Sequence, residues 1–245
     1  MHGVSDRQEL IPGWDQERFS SSTVLLAGAG GIGGQVGSSL VKGGIGELYI
    51  TDPDVVGLSN LNRQHFTPGD LYRNKGHALA RNLSKSGFLG TRVHGFPLFF
   101  SEFIQRFPGV VPTATVVGVD NDRARLQACD WSLRIGRPLV SVGIARDASG
   151  AYVFVQEPGM ACLGCYLGGA HGGASCPRTP AVLDVLQVAC GYASFALSSL
   201  LMPRHRGWNL IRTFLGTGGT TAVQIERRQD CPFCSESTSG NSTGE

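Results

Sequence analysis

The sequence has little charge: charged residues make up 16% of the 245 residues, against about 25% in an average globular protein. The two signs nearly balance, with 21 Lys and Arg against 19 Asp and Glu, so the net charge of +2 gives no electrostatic reason to expect a nucleic-acid partner. Disordered chains combine low hydrophobicity with high net charge. This chain is 41% apolar, which excludes global disorder, and its 35 glycines lack the three-residue period of collagen.

Targeting and membrane signals are also missing. The first residues contain no apolar stretch long enough for a signal peptide, and we therefore expect a cytoplasmic protein. Residues 185–203 carry no charge, but glutamine, glycine and serine dilute the segment. It predicts a buried or subunit-facing helix and no membrane partner, because a membrane span needs about 20 strongly apolar residues.

Metal patterns based on histidine, such as HExxH, are absent, and the six histidines are scattered. The chain has seven cysteines. In a reducing compartment cysteines indicate metal binding or catalysis rather than disulfides.

Short apolar runs alternate with helical patterns through the first 150 residues, which predicts βαβ units and a parallel sheet. The predicted strands are residues 23–29, Glu47–Thr51, Arg92–Phe96, 115–119 and 138–142, and the predicted helices are residues 31–42, 70–83 and 123–135. After residue 149, strands lacking intervening helices predict an antiparallel extension of the same sheet. These strands are residues 151–155, 209–215 and 221–225, and they surround a long helix over residues 181–202. We expect one α/β domain over residues 1–234 and a disordered Ser/Thr/Gly-rich tail over residues 235–245.

A glycine-rich motif follows the first predicted strand and opens a helix. Gly28, Gly30 and Gly33 form GxGxxG, with Gly31 beside the second glycine. Such a loop turns tightly and approaches phosphates, and the helix N-terminus supplies free N–H groups. Asp52 ends the next strand 19 residues after Gly33, a position suited to ribose hydroxyls. We interpret this as a Rossmann-like nucleotide site, which alone would favour NAD; the alternative is that the glycines serve only close helix–strand packing.

Two cationic residues, Arg63 and Lys75, lie beyond the strand ends and are not expected in a site for a dinucleotide. Asp54 follows Asp52 in the sequence TDPD, and SNLNRQ comes next, with Asn60 and Arg63 as candidate phosphate ligands. Lys75 lies twelve residues after Arg63 and can face the same crevice. A dehydrogenase that binds a diphosphate needs no such pair of cations, whereas a site that holds a triphosphate while pyrophosphate leaves does need them.

An acidic residue completes this set. Asp120 and Asn121 follow the fourth predicted strand, at the sheet edge where ligands bind in this architecture. Asp120 can carry Mg²⁺ shared with phosphate. Each residue also has an ordinary alternative: Arg63 and Lys75 as surface charges, and Asp120 as a helix N-cap.

GAGGIG, TDPD, SNLNRQ, Lys75 and VDN together resemble the ThiF/MoeB/HesA family, the bacterial relatives of ubiquitin-activating enzymes. The resemblance covers nearly the whole chain, from about residue 6 to residue 234. It implies ATP-dependent adenylation of the C-terminal glycine carboxylate of a small ubiquitin-fold or sulfur-carrier protein ending in Gly-Gly. It also implies Mg²⁺ and a homodimer.

The resemblance assigns roles to the residues around the glycine loop. It gives Gly31 a place in the nucleotide loop and Asp52 the ribose contact. Asn60 and Arg63 match the phosphate-binding loop, and Lys75 matches the lysine that contacts phosphate.

Further roles follow from the same resemblance. Asp120 matches the acid linked to Mg²⁺ and Asn121 its neighbour, while Arg125 fits DNxxxR as an ion-pair partner. Near the start, Arg7 matches an arginine that reaches the ATP of the other subunit. The segment before Lys75 departs from the family pattern, because it is one residue shorter and has Asn74 where the family has proline.

Four cysteines form two CxxC pairs, a spacing that lets two thiolates chelate one ion and four complete a tetrahedral Zn²⁺ site. The pairs are Cys162 with Cys165 and Cys231 with Cys234. Joined by zinc, they would clamp the C-terminal segment onto the domain, and the resemblance implies such a structural zinc in many members. The alternative is two unrelated pairs of ordinary thiols.

The remaining cysteines differ in their surroundings. Cys129 and Cys190 lie on predicted helices and are expected to be buried. Cys176 lies in a glycine-rich loop, where functional groups are common. The resemblance implies that a cysteine in this loop can take the activated carboxylate as a thioester or exchange sulfur with it.

Three other functions compete with adenylation of a protein. An NAD-dependent oxidoreductase would share the glycine loop and Asp52, but it leaves Arg63, Lys75 and the cysteine pairs without a purpose. A non-catalytic module that only binds a partner is opposed by the retained charged set. A peptide or a modified RNA base could replace the protein substrate, but relatives of that kind often lack the zinc cysteines.

Overall fold

One eight-stranded sheet forms the centre of the protein, in the order β3-β2-β1-β4-β5-β6-β7-β8. The computed structural model describes residues 3–168 and 182–235. The strands are β1 (Thr23–Ala27), β2 (Glu47–Thr51), β3 (Arg92–Phe96), β4 (Ala114–Val117), β5 (Leu139–Ile144), β6 (Gly150–Gln156), β7 (Leu210–Phe214) and β8 (Gly219–Val223).

Strands β1 to β5 pair in parallel, and β6, β7 and β8 continue the sheet with antiparallel pairing. The predicted fold class, a mixed α/β sheet with a parallel N-terminal part and an antiparallel C-terminal extension, is therefore confirmed. The strand order reverses between β1 and β4, which creates a crevice at the carboxyl ends of these strands, where ligands bind in open α/β sheets.

Helices cover both faces of the sheet. In the described residues they are α1 (Asp6–Glu9), α2 (Gln16–Ser20), α3 (Gly31–Gly43), α4 (Lys75–Ser86), α5 (Phe100–Arg106), α6 (Asp122–Arg134), α7 (Leu163–Leu167) and α8 (Leu183–Leu201). Helices α3, α4 and α8 pack on one face, and α5, α6 and α7 on the other. Buried valine, isoleucine and leucine side chains dominate the first layer, and buried leucine, phenylalanine, alanine and cysteine side chains form the second. Apolar layers on both faces are expected for a sheet buried on both sides.

Helix α8 is long and apolar enough to cross a membrane by length and composition alone, with a mean hydropathy of 1.3. In this structure it packs on α3, β5 and β6. Its buried face contributes to the same core as Val142 and Val153. The prediction that this segment forms a buried helix is thus confirmed.

The predicted start of the helix that became α4 was wrong. Residues 70–83 were expected to be helical, but Pro68–Asp70 forms a short 3₁₀ turn and α4 begins only at Lys75. The chain reverses at Tyr72, whose φ of 64° lies in the left-handed region and cannot continue a helix. Asn74 then caps the new helix by accepting a hydrogen bond from the His77 amide at 3.0 Å.

Candidate functional site

A cavity of about 1000 Å³ opens at the carboxyl ends of β1, β2, β4 and β5. The structure brings together in its wall almost every residue predicted to bind the nucleotide. These residues are Gly28, Gly30, Gly31, Asp52, Asp54, Asn60, Arg63, Lys75, Asp120 and Asn121.

The glycines of the motif serve two purposes. Gly28 has a φ of 103°, which favours glycine. A Cβ on Gly33 would lie 2.0 Å from the carbonyl oxygen of Gly28, so this glycine permits close helix–strand packing and does not line the cavity. A Cβ on Gly30 would meet nothing nearer than the Gln64 amide at 3.9 Å. Gly30 therefore leaves open the space that a ligand needs.

We expect Gly30→Ala to fold normally and to lose nucleotide affinity, whereas Gly33→Ala unfolds at a lower temperature. The added methyl group enters the cavity in the first variant and meets backbone in the second. Gly191→Ala in α8, where a Cβ meets nothing within 4 Å, is the matched control. It should raise stability by about 0.5–1 kcal/mol. Thermal unfolding with and without ATP measures both effects, and equal behaviour of Gly30→Ala and Gly33→Ala contradicts the assignment.

Asp52 is buried and holds the glycine loop in place. Its carboxylate accepts a hydrogen bond from the Ala29 amide at 2.7 Å and one from the Asp54 amide at 2.9 Å. Burial raises the pKa of Asp52 above its ordinary value of 3.8, although the Ala29 amide and the charge of Lys75 act in the opposite direction. The folded state therefore disfavours the ionised form of Asp52. The contribution of Asp52 to the free energy of unfolding is full below pH 3.8 and falls as the pH rises through the raised pKa.

Lys75 is the first residue of α4, and its side chain is only 13% exposed. Its ammonium group lies 2.8 Å from a carboxylate oxygen of Asp54. The Asn74 side-chain amide donates hydrogen bonds to the carbonyl oxygens of Asp52, at 2.8 Å, and Asp54, at 3.0 Å. Asn74, which departs from the family pattern, thus ties the start of α4 to the segment that follows β2, next to Lys75 in the cavity wall.

Arg63 and Asn60 belong to a compact turn that begins with the 3₁₀ segment Leu58–Asn60. The side-chain oxygen of Asn60 accepts a hydrogen bond from the Gly57 amide at 2.9 Å. The Arg63 guanidinium donates to the Ser59 carbonyl oxygen at 2.5 Å and to the Asn62 side-chain oxygen at 3.0 Å. The turn therefore holds Arg63 in the cavity wall with its charge not paired to a carboxylate among the described residues.

Asp120 is exposed in the cavity, and no hydrogen bond or ion pair involves its carboxylate in the part of the chain that the structure describes. The N-cap of α6 is instead Asn121, which accepts from the Ala124 amide at 2.8 Å. Arg125 lies 3.8 Å from Asp122, consistent with the expected ion pair. Carboxylate oxygens are ligands that Mg²⁺ prefers, so Asp120 suits such an ion.

Several residues of the wall were not identified from the sequence. They include Gln64, which belongs to SNLNRQ, Arg146, which follows β5, and Tyr152 on β6. The position of Arg146 beyond a strand end is a signal that could have identified it. Leu186 comes from α8, and no sequence signal indicates that this helix reaches the cavity.

Three buried polar atoms in the cavity wall lack a hydrogen-bond partner within the described residues. They are Thr51 Oγ1, Gln64 Oε1 and Arg125 Nε. Unpaired buried polar atoms are costly, so their position in a cavity wall is typical of groups that meet a bound ligand or water.

Not every predicted site residue lines this cavity: Arg7, like Gly33, does not. Arg7 is exposed on α1 and does not line the cavity of its own chain. Cys176 lies outside the described residues, as do residues 236–245 of the predicted tail.

The two CxxC pairs come together at the C-terminal end of the described chain. The sulfur atoms of Cys162, Cys165, Cys231 and Cys234 all lie within 4.8 Å of one another. Cys162 Sγ is 3.5 Å from Cys231 Sγ, and Cys165 Sγ is 3.4 Å from Cys234 Sγ. Thiolates about 2.3 Å from one tetrahedral zinc ion lie about 3.8 Å apart. The cluster therefore fits a four-thiolate zinc ion, and the Arg228 amide donates to Cys165 Sγ at 3.4 Å.

Cys129 and Cys190 are buried, as expected. Burial raises the pKa of the Cys190 thiol to about 12. Cys129 donates to the buried Gln156 side-chain oxygen at 3.1 Å. The raised pKa makes the Cys190 thiol unsuited to nucleophilic chemistry at neutral pH.

The fold and the cavity define a nucleotide-binding α/β domain whose ligand crevice lies at the point where the strand order reverses. A sequence model of the ThiF family matches residues 5–234. The chain belongs to the ThiF family, and the predicted membership is confirmed.

The chain is similar to ubiquitin-like modifier-activating enzyme 5 from several organisms. It is 32% identical to the Drosophila willistoni protein over 167 residues, which cover 62% of this chain and 40% of that protein. It is 30% identical to the protein of Oryza sativa subsp. japonica, over 61% of this chain and 38% of that one. The chain thus matches about two fifths of the length of these relatives.

Among solved structures, the fold resembles E. coli MccB bound to MccA-N7isoASN, with a TM-score of 0.78, 20% identity and coverage of 90% of this chain and 68% of that one. MccB with ATP gives a TM-score of 0.75 at 20% identity, covering 89% and 68%. At this level of identity the likeness establishes the fold.

Proposed function

We propose that the protein is an adenylyltransferase that activates a carboxylate with ATP, in the manner of the ubiquitin-activating-enzyme relatives. The observation that carries this proposal is the cavity wall, which combines the glycine loop with the cations Arg63 and Lys75 and the unpaired carboxylate of Asp120. Family membership and the names of the similar proteins, which are modifier-activating enzymes, support it.

The proposed reaction needs charge stabilisation more than proton transfer. The substrate carboxylate attacks the α-phosphorus of ATP, an acyl-adenylate forms, and the bond to pyrophosphate breaks. The carboxylate is already ionised at neutral pH, so no general base is required. Negative charge grows on the leaving phosphates, and Arg63 and Lys75 would offset it.

Mg²⁺ would be held by Asp120 together with phosphate oxygens, and it would neutralise phosphate charge when bound. Asp52, which is buried at the end of β2, would orient the ribose through the lone pairs that its two backbone hydrogen bonds leave free. The amide groups of the glycine loop would contact the phosphates at the N-terminus of α3.

We further propose a small ubiquitin-fold or sulfur-carrier protein ending in Gly-Gly as the substrate. The similarity to modifier-activating enzymes favours this class. We also propose a homodimer in which Arg7 reaches the nucleotide of the other subunit, since it is exposed and away from its own cavity. A cytoplasmic location suits the cysteines of the cluster, which form no disulfide among the described residues.

The cysteine cluster is proposed to be a structural Zn²⁺ site. Four thiolates leave no open position for a substrate, so the ion has a clamping role. Ligands come from the segment around α7 and from the C-terminal end, and the clamp joins them.

A ligand comparison tests the proposal against an NAD-dependent oxidoreductase. We expect ATP with Mg²⁺ to raise the Tm. At a ligand concentration 100-fold above Kd, binding adds about 2.7 kcal/mol to the free energy of unfolding. NAD⁺ should have little effect, because the wall supplies cations for a triphosphate. A larger shift with NAD⁺ would overturn the nucleotide assignment; Gly30→Ala, which should respond to neither, is the control.

A cysteine variant tests the proposed transfer step. We expect Cys176→Ala to retain ATP–pyrophosphate exchange and to lose the thiol-sensitive conjugate with the partner protein. Conjugates are resolved on gels with and without thiol, with the buried Cys190→Ala variant as control. An unchanged conjugate in Cys176→Ala assigns the transfer to another group.

A further inference from the structure

A row of residues crosses the antiparallel extension of the sheet beside the cavity. Residues Gly143, Tyr152, Arg212 and Thr221 are paired in register across β5, β6, β7 and β8. Residues directly opposite one another in antiparallel strands point to the same face. The row therefore leads from the cavity wall, where Gly143 and Tyr152 lie, to the exposed edge of the sheet.

The inner part of this row is rigid. A Cβ on Gly143 would lie 2.2 Å from the Tyr152 ring and 2.8 Å from the Arg125 guanidinium, so these groups occupy the space above the glycine. Arg125 donates a hydrogen bond to the Tyr152 hydroxyl and lies 5.6 Å from the ring centroid. Tyr166 packs edge-on against Tyr152, with the ring centroids 5.2 Å apart. Tyr152 is thereby fixed at the point where the cavity meets the row.

The outer part of the row is exposed and unpaired. Arg212 is exposed on β7, and no ion pair or hydrogen bond involves its guanidinium in residues 3–168 and 182–235. Phe214, two residues further along the strand, points to the same face and is 48% exposed. Burial raises the pKa of Tyr166, and the positive charge of Arg212 acts in the opposite direction, which indicates that Arg212 lies near the tyrosine pair.

We propose that Arg212 and Phe214 form a docking strip for the segment of the substrate that precedes its reacting carboxylate, and that Arg212 selects an acidic side chain in that segment. The strip is continuous with the cavity through Tyr152. An extended segment that leaves the cavity reaches Arg212 within about two residues, because neighbouring strands are about 4.8 Å apart and a chain rises about 3.3 Å per residue. This inference rests on the proposed function, since it assumes a substrate whose carboxyl end enters the cavity.

Binding of two labelled peptides tests the selectivity of Arg212. Both are short, fluorescein-labelled and end in Gly-Gly; one has glutamates before the glycines and the other has lysines. Fluorescence anisotropy in the presence of ATP and Mg²⁺ should give tighter binding of the glutamate peptide to the wild-type chain. Arg212→Glu should reverse the preference, with a change of up to about fivefold for each peptide, as expected for one exposed ion pair.

Two further variants separate a local effect from a general one. Arg18→Glu changes the net charge equally but lies on α2, away from the strip, and it should preserve the wild-type preference. Phe214→Ser should weaken both peptides without changing the preference between them, since its ring carries no charge. Binding of neither peptide to the wild-type chain, or an unchanged preference in Arg212→Glu, overturns the proposal.

Two other outcomes identify which inference has failed. Selective binding of the glutamate peptide without any formation of AMP counts against the proposed reaction and leaves the docking strip supported. A lower molar mass of Arg212→Glu or Phe214→Ser in light scattering assigns the strip to contact between copies of this chain and overturns the docking proposal.

Discussion

Asp120→Ala and Arg63→Ala are expected to lose ATP–pyrophosphate exchange almost completely while remaining folded. Both side chains line the cavity, and neither carries a contact on which the core depends. Removing one group that stabilises charge in a transition state typically lowers the rate by about 10²–10³-fold. Radiolabel exchange between pyrophosphate and ATP, measured with the substrate protein, quantifies the loss.

The controls for this prediction retain charge or change a residue nearby. Arg63→Lys keeps the charge but loses the planar fork of the guanidinium, and should recover only part of the activity. Asp130→Ala removes a carboxylate that pairs with Arg134 on α6, the helix that Asn121 caps. This variant should catalyse exchange at the normal rate. Full exchange by Asp120→Ala or Arg63→Ala contradicts the assigned roles.

Cys231→Ser is expected to lose the bound metal and much of the stability of the domain. Binding energy at a four-thiolate site is also folding energy, so we expect the Tm to fall by more than about 10 °C. The purified wild-type chain should contain about one zinc ion, as a closed site of this kind does. Metal content is measured by plasma emission, and unfolding by circular dichroism.

The matched control is Cys190→Ser, which makes the same change at a buried cysteine outside the cluster. It should retain the metal and show only the smaller cost of burying a hydroxyl group. A wild-type chain that lacks zinc, or a Cys231→Ser variant that retains it, rules out the clamp.

The sheet could be predicted because its strands are short apolar runs separated by helical patterns. Glu47–Thr51 and Arg92–Phe96 have the predicted bounds. The short helices α1, α2, α5 and α7 were missed, since four to seven residues give too little periodicity to identify a helix. The start of α4 depended on a backbone reversal at Tyr72, which no apolar pattern indicates.

Much of the candidate site could be predicted for a different reason. Asp52, Arg63 and Asp120 follow strands of one parallel sheet, and the carboxyl ends of such strands meet at one edge. Tyr152 could not be found by this rule, because it lies within an antiparallel strand and reaches the cavity through its register with Gly143. Individual side-chain hydrogen bonds could not be predicted from the sequence either. One example is the bond by which Asn121, and not Asp120, caps α6.

The nucleotide products formed with a small ubiquitin-fold protein ending in Gly-Gly test the central claim most directly. The account predicts that ATP is cleaved between its α- and β-phosphates, so that pyrophosphate appears and AMP follows when the acyl-adenylate is released or transferred. Anion-exchange chromatography separates these products, and Asp120→Ala provides the blank. Formation of ADP and phosphate instead, with no AMP, would contradict the claim that this cavity activates a carboxylate by adenylation.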